Sequence, residues 1–143
     1  MSDNKLSPAI LVISHGDFCE ALIRSAFMIF GTVDRVEALP LVEGMDVDIY
    51  QTQFQALIEK YDDNVFVLAD LKGGTPFKTL MMTARTRPLY GVVGVNIPLM
   101  IEVLSLRDEL AGAELAAALA TAYADLNIDL TQFLEKAYCQ ERG

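Results

Sequence analysis

Ile10-Leu-Val-Ile-Ser-His15-Gly16 is an apolar run that ends in the only histidine of the chain. Four branched apolar residues in succession read as a strand buried on both faces, and Ser14-His15-Gly16 as the turn that breaks it. The residues from Asp17 to Phe30 carry a helical pattern. His15 is therefore expected at the carboxyl end of a first strand, in a βα loop, where open α/β sheets place their ligands. A second stretch answers the first: Asn64-Val-Phe-Val-Leu-Ala-Asp70-Leu-Lys-Gly73-Gly74-Thr75-Pro76-Phe77. It too is an apolar strand, ending in an acid and a glycine pair ahead of a helix.

Between and beyond these stretches the pattern keeps alternating. In the first helix Phe18, Leu22, Ile23, Ala26, Ile29 and Phe30 recur at helical spacing. Asp17 and Glu20 stand at capping-box spacing, and Gly31 stands at the stop. Val33 to Val42 reads as a second strand. A helix capped by Asp46 follows, with the stripe Val47, Tyr50, Phe54, Leu57, Ile58 and Tyr61. Val65 to Ala69 is the third strand. Thr75-Pro76, a hydroxyl at the N-cap with proline at N1, starts a helix expected to reach Arg87. Leu89 to Val95 reads as a fourth strand and Asn96-Ile97-Pro98 as the start of a helix to Leu106. Glu109 to Ala124 is helical, Ile128-Asp129-Leu130 reads as a short strand, and Gln132 to Tyr138 as a last helical turn or two. Such alternation implies parallel βαβ units with right-handed crossovers. The expected architecture is a doubly wound, flavodoxin-like α/β sandwich with a mainly parallel sheet of order 2-1-3-4. Strands one and three then meet at the switch point, which sets the His15 loop beside the Asp70 loop.

The 143 residues suit one domain, spanning 1–143 with a flexible extension over 1–8. Apolar residues make up 52% of the chain, yet no stretch approaches the ~20 residues that span a bilayer. Residues 1–8 are polar, without the apolar core of a signal peptide, so a cytoplasmic location is expected. Cys19 and Cys139 lack metal-type spacing and are expected to stay reduced there. A net charge of −9 excludes nucleic acid as a partner and would suit a protein with a basic face, although it serves solubility equally well.

The chemistry follows from the two loops. No second histidine or cysteine cluster accompanies His15, so no metal is expected. Ser14 is not in a nucleophile elbow, and Cys19 reads as a buried small residue. What remains is His15 as a nucleophile, with Asp70 accepting a hydrogen bond from one ring nitrogen and leaving the other free to attack phosphorus. Gly73 and Gly74 permit a side-chain-free backbone, and the following helix start is a ready anion site to which Thr75 adds a hydroxyl.

Those residues carry a resemblance. Ile13-Ser14-His15-Gly16, Asp70-Leu-Lys-Gly73-Gly74-Thr75-Pro76-Phe77 and Gly94-Val95-Asn96-Ile97-Pro98, spread from Ala9 to about Asp108, resemble the enzyme IIA domain of the mannose-type phosphoenolpyruvate:sugar phosphotransferase system. The resemblance implies a phosphohistidine carrier without a cofactor. His15 would take the phosphoryl group on Nε2 from HPr and pass it to enzyme IIB, with membrane enzyme IIC and IID components involved indirectly. It implies that Asp70 holds Nδ1 and that the Thr75 hydroxyl helps hold the phosphoryl group; from the residues themselves Gly73 and Gly74 are expected to bind it with their backbone, and Gly16, Lys72, Asn96 and Pro98 are candidates to line the site. It also implies a homodimer that exchanges a C-terminal edge strand around Ile128 to Leu130. Lys72, Lys78 and Glu43 depart from the family's usual residues: Lys72 either attracts the phosphoryl group or sits in solvent, and Lys78 and Glu43 bear on partner choice; nothing in these motifs singles out a sugar. Two other readings share the fold: the phosphotransfer subunit of a dihydroxyacetone kinase, and a regulatory receiver phosphorylated on Asp70. A receiver would carry an acidic cluster where this chain has Ser14-His15-Gly16.

Overall fold

The computed structural model describes residues 6–142, with side chains described to residue 139. Four strands and six helices alternate through most of the chain: β1 (Ala9–His15), α1 (Phe18–Phe30), β2 (Val36–Leu41), α2 (Val47–Lys60), β3 (Val65–Ala69), α3 (Gly74–Thr83), β4 (Gly91–Val93), α4 (Ile97–Leu106), α5 (Gly112–Tyr123) and α6 (Leu130–Arg142). The strands form one parallel sheet in the order β2-β1-β3-β4, as the alternation predicts.

The apolar runs of β1 and β3 make them the central strands, because each must be covered on both faces. Ile10 and Val12 point into one core with Leu22, Ala26, Phe66, Leu68, Leu99, Val103 and Leu119, beneath α1, α4 and α5. Ala9, Leu11 and Ile13 point the other way, against Tyr50, Phe54, Ile58 and Val67 beneath α2. A fully buried side chain of this size contributes about 1.5–3 kcal/mol over an exposed one. Two cores that share β1 and β3 therefore fix the position of these two strands between them. In register, Ile13 lies opposite Ala69, so the residues just beyond them, His15 and Asp70, emerge side by side.

Several boundaries differ from expectation. β2 starts at Val36 rather than Val33, because Arg35 adopts a left-handed conformation (φ 59°). The buried Arg107 guanidinium donates to the carbonyls of Asp34 and Arg35, at 2.7 and 3.0 Å, and the Arg35 carbonyl also accepts from the Ile10 amide of β1 at 2.9 Å. α3 ends at Thr83 instead of Arg87, β4 is confined to Gly91–Val93, and α5 starts at Gly112 rather than Glu109.

The C-terminal segment is a correction. No strand forms over Ile128 to Leu130; Leu130 is the first residue of a 13-residue helix. Asp129 is the cause, because its carboxylate accepts from the Gln132 amide at 3.2 Å and its carbonyl accepts the first helical bond from Phe133. Aspartate is among the strongest N-caps, and a cap in mid-run overrides the short apolar alternation around it. Of the extension expected over 1–8, residues 1–5 lie outside the described residues. Residues 6–8 are tied to the body: Asn64 donates to the Leu6 carbonyl at 3.1 Å and Arg35 to the Ser7 carbonyl at 2.7 Å.

Candidate functional site

At the carboxyl end of the sheet, the last residue of β1 meets the first residue after β3. His15 Nδ1 lies 2.8 Å from Asp70 Oδ2, and the His15 backbone N–H donates to the same oxygen at 2.9 Å. The other carboxylate oxygen, Oδ1, accepts from the Leu71 amide at 2.9 Å. A carboxylate fixed by three hydrogen bonds cannot swing away, and as a pure acceptor it holds the proton on Nδ1. Nε2 is thereby left with its lone pair free. The imidazole is 45% exposed while the carboxylate is 12% exposed, so the ring is accessible and its anchor is shielded.

Gly74 lies directly against that nitrogen. A Cβ placed on Gly74 would stand 2.6 Å from His15 Nε2 and 2.8 Å from Cε1, far inside van der Waals contact. Gly73 and Gly74 also have φ values of 119° and 78°, in the region that side chains rarely adopt. Helix α3 begins at Gly74 with Gly73 as its N-cap, two residues earlier than expected, so Thr75 is not the cap. Its hydroxyl makes no hydrogen bond among the described residues. The Gly74 and Thr75 amides donate to no backbone oxygen outside the helix, and first-turn amides have no partner within it. A lone pair on Nε2, free amides and a helix dipole converge at one open spot, which suits an anion in contact with a nitrogen nucleophile.

The remaining predicted residues are less central. Gly16, next to His15, has its amide occupied by the Leu41 carbonyl at 2.9 Å. Lys72 lies exposed in the loop between Asp70 and Gly73 and forms no ion pair among the described residues. Asn96 caps α4 by accepting from the Leu99 amide at 2.9 Å, which fully explains its presence. Together with Pro98 it lines an apolar cleft whose other wall is Phe18 and Leu22 of α1. Cys19 is fully buried, and burial pushes its thiol up, against the lowering effect of a bond with Ser14, so it is no activated thiolate.

A family profile described as "PTS system fructose IIA component" matches residues 9–120, most of the chain. The chain belongs to the EIIA-man family. It is 36% identical to the fructose-specific EIIA component of Bacillus subtilis, over 72% of this chain and 73% of that protein. With the mannose-specific EIIAB component of Escherichia coli it shares 32% identity, over 71% of this chain but only 32% of that longer protein. Among solved structures, the IIA protein associated with the fucose utilization operon of Streptococcus pneumoniae superposes with a TM-score of 0.80 at 28% identity, covering 91% of this chain and 98% of the other. The mannose/sorbose-specific IIA subunit of Enterococcus faecalis gives 0.77 at 28% identity, covering 87% and 95%. As a IIA component of the phosphotransferase system, the chain is a phosphotransferase of sugar uptake, in a family that works through a phosphohistidine intermediate. Among the described residues, no helix of this IIA component is long and apolar enough to cross a membrane.

Proposed function

We propose that this IIA component carries a phosphoryl group on His15 Nε2, taking it from phospho-HPr and passing it to enzyme IIB in the cytoplasm, ahead of the membrane IIC and IID components. The observation that supports this most is the His15 Nδ1–Asp70 Oδ2 hydrogen bond of 2.8 Å, made on the opposite side of the ring from the face against Gly74. In the transfer step the Nε2 lone pair attacks phosphorus in line. An N–P bond forms as the bond to the donor imidazole breaks, and that electron pair leaves with the donor. The Nδ1 proton stays in place, and the positive charge the ring gains is stabilised by the Asp70 carboxylate. The Gly74 and Thr75 amides and the Thr75 hydroxyl hold the phosphoryl oxygens. A loose transition state requires little beyond such positioning and charge stabilisation. Passage to enzyme IIB is the same step reversed on a new acceptor.

Asp70→Asn separates orientation from folding. The amide can present its NH2 group to Nδ1 and favour the wrong tautomer, and it cannot stabilise an imidazolium. Single-turnover transfer from phospho-HPr should fall by roughly 10²-fold or more while the fold is kept. A wild-type rate would remove Asp70 from the mechanism.

The chain is also proposed to act as a homodimer. β4 pairs only with β3, which leaves its outer edge open, and apolar grooves run along both its faces, past Leu80 and Leu89 on one side and Leu119 and Tyr123 on the other. Helix α6 exposes Leu130, Phe133, Leu134 and Tyr138 along one stripe, at 63%, 56%, 38% and 55%. An open edge and an uncovered apolar helix in one small protein are liabilities that association removes. Sedimentation at micromolar concentration should give twice the chain mass, and truncation after Ala124 should lower it toward one. A monomer at that concentration, or unchanged dimerisation after truncation, would refute the dimer.

A further inference from the structure

We propose that Ser14 is a positioning residue for phosphoryl transfer, acting through the turn that carries His15; this rests on the reading that His15 is the residue phosphorylated. Ser14 is fully buried at the end of β1. Its Oγ accepts from the Cys19 amide at 2.9 Å and donates to the Gly16 carbonyl at 3.1 Å. One hydroxyl therefore bridges both ends of the Gly16–Cys19 segment that joins β1 to α1, closing a loop around His15. It also does the work expected of Asp17, whose side chain makes no cap bond at the start of α1. The first buried amide of that helix is satisfied from inside the strand and not from the preceding residue.

The consequence for His15 is geometric. Its backbone N–H and Nδ1 meet a single carboxylate oxygen at 2.9 and 2.8 Å, a chelate that requires main chain and ring to be aimed together. Gly16, the residue after it, has φ 59°, a conformation that a free chain leaves easily. The Ser14 hydroxyl pins the Gly16 carbonyl and so holds that conformation. The Gly16 amide is held separately by the Leu41 carbonyl at 2.9 Å, so the hydroxyl fixes the next peptide, Gly16–Asp17; without it that peptide can rotate, and the ring keeps its bond to Asp70 by shifting relative to Gly74 and the α3 amides. An error of about 1 Å at a reacting atom costs on the order of 10²-fold in rate.

Two measurements on the free protein and one on transfer test this. In wild type, two-bond 1H–15N correlations of His15 should show one tautomer, with the proton on Nδ1. In Ser14→Ala they should show a mixture of tautomers or exchange broadening, and single-turnover transfer from phospho-HPr should fall roughly ten- to a hundredfold. Ile58→Val, a change in the buried core beneath α2, should leave spectrum and rate as in wild type, which separates positioning from general loss of stability. Ser14→Thr keeps the hydroxyl and should keep the single tautomer. A folded Ser14→Ala with the wild-type tautomer and rate overturns the proposal. So does a folded Ser14→Thr with mixed tautomers, which covers the case in which the alanine variant does not fold. The spectra need no phosphoryl group, so a wild type that cannot be phosphorylated would count against His15 as carrier without touching the conformational effect of Ser14.

Discussion

Gly74→Ala is expected to slow phosphoryl transfer by on the order of 10²-fold or more while leaving a folded protein. The new Cβ would stand 2.6 Å from His15 Nε2, whereas carbon prefers neighbouring heavy atoms at about 3.5–4.0 Å. Something has to move by roughly 1 Å, and the ring is the softer partner, since Gly74 is held at the start of a helix. The movement would drive Nε2 out of the space where phosphorus must sit and away from the α3 amides. The left-handed backbone at this residue adds about 1–2 kcal/mol for a side chain, a tolerable loss at an exposed loop. Transfer should fall by on the order of 10²-fold or more, with a cooperative unfolding transition only slightly displaced. A rate close to wild type would mean that the glycine serves the turn alone and that the phosphoryl site is elsewhere.

His15→Gln should reduce phosphoryl acceptance from phospho-HPr to background, because no other imidazole exists in the chain. A carboxamide offers no nucleophilic nitrogen at neutral pH, so no carrier function remains to be slowed. The substitution is gentle to the fold. The side chain is 45% exposed, and the backbone N–H that donates to Asp70 is retained. Circular dichroism and the thermal midpoint should stay near those of wild type. Acid-labile label undiminished in this variant would overturn the assignment.

The sheet and the core of the site were legible in the sequence for a shared physical reason. Strands buried on both faces must be continuously apolar, so β1 and β3 declare themselves, and parallel order places the residues at their ends together. Helix starts with a local cap were equally legible at Asp46 and Asn96, which both accept the amide bonds their positions predict. Misreadings arose where a bond spans several residues or two signals compete. The Asp17–Glu20 spacing suggested a capping box, but Ser14 caps from five residues before Cys19. Thr75-Pro76 suggested the start of α3, but two glycines let the helix begin two residues sooner. Around Asp129 an apolar alternation suggested a strand, and the cap prevailed. The contact of Gly74 with the imidazole had no local sequence signal at all. A glycine announces that a side chain is unwelcome, and only the fold shows which neighbour excludes it.

The central claim is that the phosphoryl group rests on one nitrogen of one residue. The direct measurement is to phosphorylate 15N-labelled protein with phosphoenolpyruvate, enzyme I and HPr, and to read 15N–31P coupling in the intact product. A single phosphohistidine is predicted, at His15, with phosphorus bonded to Nε2 and the proton retained on Nδ1 beside Asp70. Phosphorus on Nδ1, on Asp70 or on Thr75, or no transfer at all from phospho-HPr, would contradict it.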